Sequence, residues 1–220
     1  MNELDKSCDI CNEINNVKNN FFSRNLFKVY KKQNLDTRII YRNQNFFVAP
    51  SVGPISPCHL LICPIKHVCS FAQLDDLQLE EGEKILNYAF QLVQNEYGYA
   101  IAFEHGGTDE KAGSSSCNHA HIHILAAQIS LKVLLTQRGF HLERIETIKK
   151  LKSKVDIGTP YFFIITNTGE QWITEDTVCQ SQYLRILCAT ELGEKNGLWQ
   201  DDIGVEQMIS TNIKFNKYFD

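Results

Sequence analysis

Apolar positions along the chain fall into segments with two different periods, separated by turn-forming residues. From Ser70 or Asp75 to about Glu96, Phe71, Leu74, Leu77, Ile85, Leu86, Ala89, Phe90 and Val93 recur at steps of three and four. That spacing predicts a long helix with one buried face, ended by Gly98. Short β-prone runs lie on either side. Residues 38–41 and 46–49, flanked by Asn, have the spacing of a hairpin, and SVGPISP after them is a loop. Residues 59–63 form an apolar run stopped by Pro64, residues 100–103 predict a strand, and residues 118–126 alternate with the period of two of a strand. Between residues 12 and 20 the chain is polar and reads as a loop, whereas FFSRNLFKVYKK (21–32) fits a helix and an extended segment equally.

After residue 127 fewer motifs appear. Ser130 caps a short helix, LKVLLTQ; residues 161–166 and 171–174 flank the hairpin signal Asn167-Thr168-Gly169. Residues 181–192 predict a second amphipathic helix, with Tyr183, Leu184, Leu187, Cys188 and Leu192 inward and Gly193 as its stop. The expectation is an α+β protein with a soft boundary near 128–130. Residues 1–129 would form the main domain and 130–220 an α+β extension or cap.

Composition narrows the class. Hydrophobic residues make up 43% and charged residues 22% of 220, ordinary for a globular chain, so wholesale disorder is excluded. A net charge of −4 offers no basic field for duplex nucleic acid or an acidic membrane surface. There is no apolar run of the ~18 residues a spanning helix needs, and MNELDKSCDI has no secretory character, so a cytoplasmic location is expected. In that compartment the eight cysteines read as thiols or metal ligands rather than disulfides.

The segment with the most chemistry is His119-Ala120-His121-Ile122-His123-Ile124-Leu125. With seven histidines in the chain, chance predicts H-x-H-x-H far less than once. On a strand the three imidazoles share one face at ~6.5–7 Å spacing, with Ala120, Ile122 and Ile124 on the other. Such a row serves metal binding or nucleophilic attack on phosphorus by a neutral imidazole. An H-x-H metal site usually has an acid shortly after, but Ile124, Leu125, Ala126, Ala127 and Gln128 follow here. Phosphorus chemistry is favoured.

These residues resemble the histidine-triad (HIT) superfamily of nucleotide hydrolases and transferases. His119 to Leu125 matches its H-φ-H-φ-H-φ-φ signature. PCHLLICPIKH (57–67) is similar to its G-H-x-L-φ-φ-P-K-x-H strand and turn, and Ala112-Gly113-Ser114-Ser115-Ser116 to its glycine-serine approach. The resemblance covers roughly residues 8–127 and implies an antiparallel sheet with a long helix. It implies an enzyme acting at the α-phosphorus of a nucleotide, on a phosphoanhydride or phosphoramidate. His121 would be the nucleophile of a covalent nucleotidyl-histidine intermediate. His119, His123 and His59 would complete the catalytic set, and Ser114, Ser115, Ser116 and His123 would bind phosphate. The family's Asn before the loop corresponds to Glu104 or His105. Nucleotidyl transfer to an acceptor other than water, or nucleotide sensing with vestigial catalysis, are the alternatives. A homodimer is a further expectation.

A lone C-x-x-C is weak evidence for metal. Branches of the superfamily pair it with the His after the proline turn and the first triad His. The resemblance thus implies a closed structural zinc site of Cys8, Cys11, His67 and His119. Cys58, Cys63, Cys69, Cys117, Cys179 and Cys188 read as small buried hydrophobes. In the carboxy-terminal third, Arg185 reads as a solvated side chain on an amphipathic helix, with a phosphate contact as the alternative.

Overall fold

The computed structural model describes residues 8–17, 21–33, 35–107, 119–155, 159–178, 180–194, 198 and 202–219. Helices α1 (Asp9–Ile14) and α2 (Phe21–Lys32) come first. Strands β1 (Tyr41–Arg42), β2 (Phe46–Pro50) and β3 (His59–Pro64) follow. The long helix α3 (Asp76–Tyr97) leads to β4 (Ile101–Gly106) and β5 (Ile122–Leu125). Next are α4 (Leu131–Gln137), β6 (Glu143–Ile145), the single turn α5 (Leu151–Lys154), β7 (Tyr161–Ile165) and β8 (Gln171–Glu175). Helices α6 (Tyr183–Glu191) and α7 (Val205–Asn216) complete the elements.

The strands form one sheet in the order β1-β2-β3-β5-β4-β7-β8-β6, every neighbouring pair antiparallel. The expected α+β class with an antiparallel sheet and long helix is what the chain adopts. Strand β7 pairs with β4 along Ala102–Gly106, so the strands after residue 130 extend the same sheet.

Helix α3 begins where Asp75 accepts the Gln78 N–H and Gln78 answers the Asp75 N–H, a reciprocal cap. It ends at Gly98, whose φ of +82° suits a residue without a side chain. Leu79, Ile85, Leu86, Ala89, Phe90 and Val93 bury against Phe46, Leu60, Ile62, Ile122 and Ile124. Leu77 departs from the expectation and is 81% exposed. With the helix starting at Asp76, nine residues separate Leu77 from Leu86, about half a turn beyond two full turns, which points it to solvent.

Two other readings are corrected. Residues 12–14, expected as the start of the 12–20 loop, belong instead to α1, because Cys8 Sγ accepts the Cys11 N–H as a cap and Ile10, Cys11 and Ile14 cover Phe47, Leu61 and Cys63. The alternating segment at 118–126 pairs only from Ile122 to Leu125. His119 and His121 precede the ladder, in a stretch held by the Ala120 N–H donating to Val68 O at 2.7 Å.

The faces of the sheet are chemically distinct. One lies under α3. On the other, α1 covers the β2–β3 side, α4 and α6 cover Ile101, Phe103, Leu125, Phe162 and Ile164, and the histidines lie between these clusters. Helix α7, unread in the sequence, packs Met208 with Leu26, Tyr30 and Val52, and Phe215 into the α3-side core.

On the α3 face, Glu104 is 1% exposed and accepts from the Phe71 N–H (2.9 Å) and the Tyr161 hydroxyl (2.5 Å). Burial outweighs both bonds and pushes its carboxyl up to about 7. The native state therefore keeps this proton to higher pH than the unfolded chain does. Its stabilising share is full below the ordinary carboxyl pKa and falls as pH rises towards about 7. Urea titrations should show parent stability declining between about pH 5 and 7, on the order of 3 kcal/mol from this group, and that decline removed in Glu104→Gln. Parallel curves for the two proteins would contradict the assignment.

Candidate functional site

The register places Leu61 opposite His123 and His59 opposite Leu125, so His59 and His123 project to the same face from adjacent strands. Their rings meet, His59 Nε2 lying 2.7 Å from His123 Nδ1. Which nitrogen carries each proton follows from the partners. The Ile55 N–H points at His59 Nδ1 at 3.4 Å, making it the acceptor, so His59 Nε2–H donates to His123 Nδ1. That leaves His123 with a proton on Nε2, a donor suited to an anionic oxygen. Burial, reinforced by neighbouring positive charge, holds both rings well below the ordinary histidine range, so they are neutral.

His121 is half-buried, its ring 4.7 Å from that of His123. Its Nδ1 lies 2.7 Å from the carbonyl oxygen of His119. A carbonyl only accepts, so Nδ1 bears the proton and Nε2 the lone pair. Burial lowers this ring to about 4, against the His119 carbonyl bond and with help from the neighbouring positive charge of Arg185. Phe103 stacks on His123 with centroids 4.6 Å apart and backs the pair.

His119 turns to a different neighbourhood. Its Nε2–H donates to Pro64 O at 2.8 Å, and its Nδ1 lies 3.5 Å from the sulfurs of both Cys8 and Cys11. His67 Nδ1 is 3.2 Å from Cys11 Sγ. The four ligand atoms lie within 4.8 Å of one another, with Cys8, Cys11 and His119 buried. Tetrahedral ligands at ~2.0–2.3 Å from an ion stand about 3.5 Å apart, so donor set and spacing both fit a metal ion. Pro64 O supplies the outer contact that presents His119 Nδ1 inward. Hydrogen bonding from Cys11, opposed by burial and aided by His119, brings the Cys8 thiol down to about 4, so a thiolate is ready to ligate.

The structure thus brings together His59, His121 and His123 as one group and Cys8, Cys11, His67 and His119 as another, joined through the His119 backbone. Ser114, Ser115, Ser116 and Cys117 lie outside the described residues, as does Cys179. Of the other cysteines, Cys58, Cys63 and Cys188 are buried as expected, and Cys69 is partly exposed. Strand alternation puts Glu104 and His105 on opposite faces: His105 shares the histidine face with Phe103, and Glu104 faces α3.

Arg185 corrects the solvated reading. It is 4% exposed, because α6 packs onto the sheet, and its guanidinium donates to Gly53 O and lies 3.5 Å from Ser51 Oγ. Burial lowers it to about 10, which leaves it charged at neutral pH. The sequence reading also missed Asp176, fully buried and 2.6 Å from His105. His105 was one of the two positions named from the sequence, but Asp176 has no local signal.

The family model described as HIT domain matches residues 32–129. A Chlamydia trachomatis (serovar D) "Uncharacterized HIT-like protein" is 33% identical over 89 residues, spanning 39% of this chain and 77% of the relative. A Chlamydia muridarum protein of the same description is 33% identical over 92 residues, spanning 39% and 68%. The chain belongs to the HIT family. Similar solved structures include a "HIT family hydrolase" from Legionella pneumophila (25% identity, 48% of this chain, 94% of that one, TM-score 0.33). Another is a "hypothetical histidine triad nucleotide-binding protein" from Sulfolobus tokodaii (21%, 45%, 66%, TM-score 0.35). At these TM-scores the family assignment rests on the sequence matches. Among the described residues no helix is long and apolar enough to cross a membrane.

Long-range ¹⁵N–¹H NMR of the imidazoles at neutral pH should find His121 protonated on Nδ1 and His123 on Nε2. Reversed tautomers would contradict the relay from Ile55 through His59.

Proposed function

We propose that the protein is a nucleotide hydrolase that cleaves a phosphoanhydride or phosphoramidate at the α-phosphorus of a nucleotide, through a nucleotidyl intermediate on His121. The observation that carries this reading is the hydrogen bond from His121 Nδ1–H to the His119 carbonyl, which assigns the lone pair to Nε2. In the first step His121 Nε2 forms a bond to phosphorus while the bond to the leaving group breaks, its electron pair departing with that group, which as an amine also takes up a proton from solvent. In the second, a water oxygen bonds to phosphorus, the P–N bond breaks and its pair returns to His121. Splitting one displacement into two is the logic of covalent catalysis. His123, with Nε2–H as donor, supports the phosphoryl oxygens where charge develops, and Ser114, Ser115 and Ser116 are proposed to contact the same phosphate. The buried guanidinium of Arg185 adds positive charge on this face.

We further propose that the cluster of Cys8, Cys11, His67 and His119 holds zinc. Two thiolates and two imidazoles make a closed set of the structural kind, whose chemistry is to clamp its ligands. Its consequence for the reaction is positional: a fixed His119 presents a fixed carbonyl to His121.

His121→Ala should lose at least about a thousandfold in turnover of diadenosine tetraphosphate and adenosine 5′-phosphoramidate while melting like the parent, as expected when a covalent nucleophile is removed. Parent protein quenched during turnover should carry one nucleotidyl group on His121. A variant that retained turnover of whichever probe the parent cleaves would refute the mechanism. Elemental analysis should find about one zinc per chain. Chelation should lower the melting temperature, and Cys11→Ser should abolish stoichiometric zinc. Full metal retention in Cys11→Ser would remove the cluster from consideration.

A further inference from the structure

The second half-reaction of the nucleotidyl-histidine reading, on which this inference rests, requires that water lose a proton as it bonds to phosphorus. The imidazoles already described are poorly placed to take it: His123 Nδ1 accepts from His59, and His123 Nε2 carries a proton. A different pair on the same face meets the need. Phe103 lies opposite His123 in the β4–β5 register, and His105, two residues further along β4, projects from the same face just beyond the end of that ladder, on the side of the stretch that carries His121.

The His105 side chain is only 7% exposed, and that of Asp176, just after β8, is 0% exposed. His105 Nε2–H donates to Asp176 Oδ2 at 2.6 Å, and Asp176 Oδ1 accepts the Val178 N–H at 2.8 Å, so the carboxylate is itself anchored. Phe162 packs edge-on to the imidazole with centroids 4.7 Å apart. This arrangement assigns the proton to Nε2 and the lone pair to Nδ1. Nδ1 is buried and has no hydrogen-bond partner among the described residues. A polar atom left in that condition costs stability, and its natural explanation is a partner that arrives with the substrate.

We propose that His105 is the general base of the hydrolytic step, with Asp176 as its positioning residue. As the water oxygen bonds to phosphorus, its proton passes to His105 Nδ1 and the P–Nε2 bond to His121 breaks, the electron pair returning to the imidazole. The His105 imidazolium so formed is balanced by the Asp176 carboxylate 2.6 Å away and later returns the proton to solvent. The stretch after residue 130 then contributes the orienting carboxylate to a reaction whose nucleophile lies before it.

Rapid-quench mass spectrometry separates the two half-reactions. With adenosine 5′-phosphoramidate as probe, His105→Gln should acquire the nucleotidyl group on His121 at a rate near the parent's. It should then lose it about a hundredfold or more slowly, within the range for loss of a general base, so that the adduct accumulates. Asp176→Asn should show a smaller accumulation. Azide, a nucleophile with no proton to give up, should restore adduct loss in His105→Gln, which a merely structural defect would not permit. Adduct loss at the parental rate in His105→Gln would overturn the inference, and so would equal slowing of formation and loss without azide rescue. Absence of any adduct on parent protein that turns the probe over would instead overturn the nucleotidyl-histidine reading beneath it.

Discussion

A single backbone carbonyl, that of His119, couples the two chemical groups of this protein. The His119 side chain faces two sulfurs while its carbonyl accepts the proton of His121 Nδ1. The cluster of cysteines and histidines and the imidazole proposed to attack phosphorus thus meet through two residues on one extended stretch, His119 and His121. Such a short connection transmits position with little slack, because alternation of side chains fixes which face each residue sees. Displacing the stretch by one residue would exchange the histidines for Ala120, Ile122 and Ile124 and put imidazoles into the α3 core.

The remaining geometry depends on that alternation as it crosses the sheet. His59, Leu61 and Cys63 on β3, His123 and Leu125 on β5, and Phe103 and His105 on β4 all share the face away from α3. Apolar clusters close both sides of this face and leave the histidines in a low-dielectric strip between them. There His59, His121 and His123 are held neutral and the arrangement of their protons becomes definite. The α3 face applies the same burial to a different end, raising the Glu104 carboxyl while Tyr161 and the Phe71 N–H hold it in place.

Elements carried by local chemistry were readable in advance. Asp75, the three- and four-residue spacing and Gly98 define α3; Ser130 caps α4 by accepting the Val133 N–H; and Gly169, at φ +80°, turns the β7–β8 hairpin. Helices whose stability comes from what they cover were not. The six residues of α1 persist because a sheet awaits Ile10 and Ile14, and α7 because Met208 and Phe215 find pockets made by residues far earlier in the chain. Leu77 shows how sensitive the reading is to phase: the periodicity is right, but the position of the cap decides which side it faces.

The row of histidines, the C-x-x-C pair and the glycine-serine approach are patterns within a few residues of one another, and the amino-acid order alone was enough to place the chain in its family. Deciding which imidazole nitrogen carries a proton required the three-dimensional arrangement, since the deciding groups are an Ile55 amide and a His119 carbonyl. The same holds for pairings over long separations. His105 and Asp176 lie 71 residues apart, and Arg185 meets Ser51 across 134. No periodicity or spacing rule reaches across such intervals; they are closed by β7 adding to β4 and α6 packing over the result.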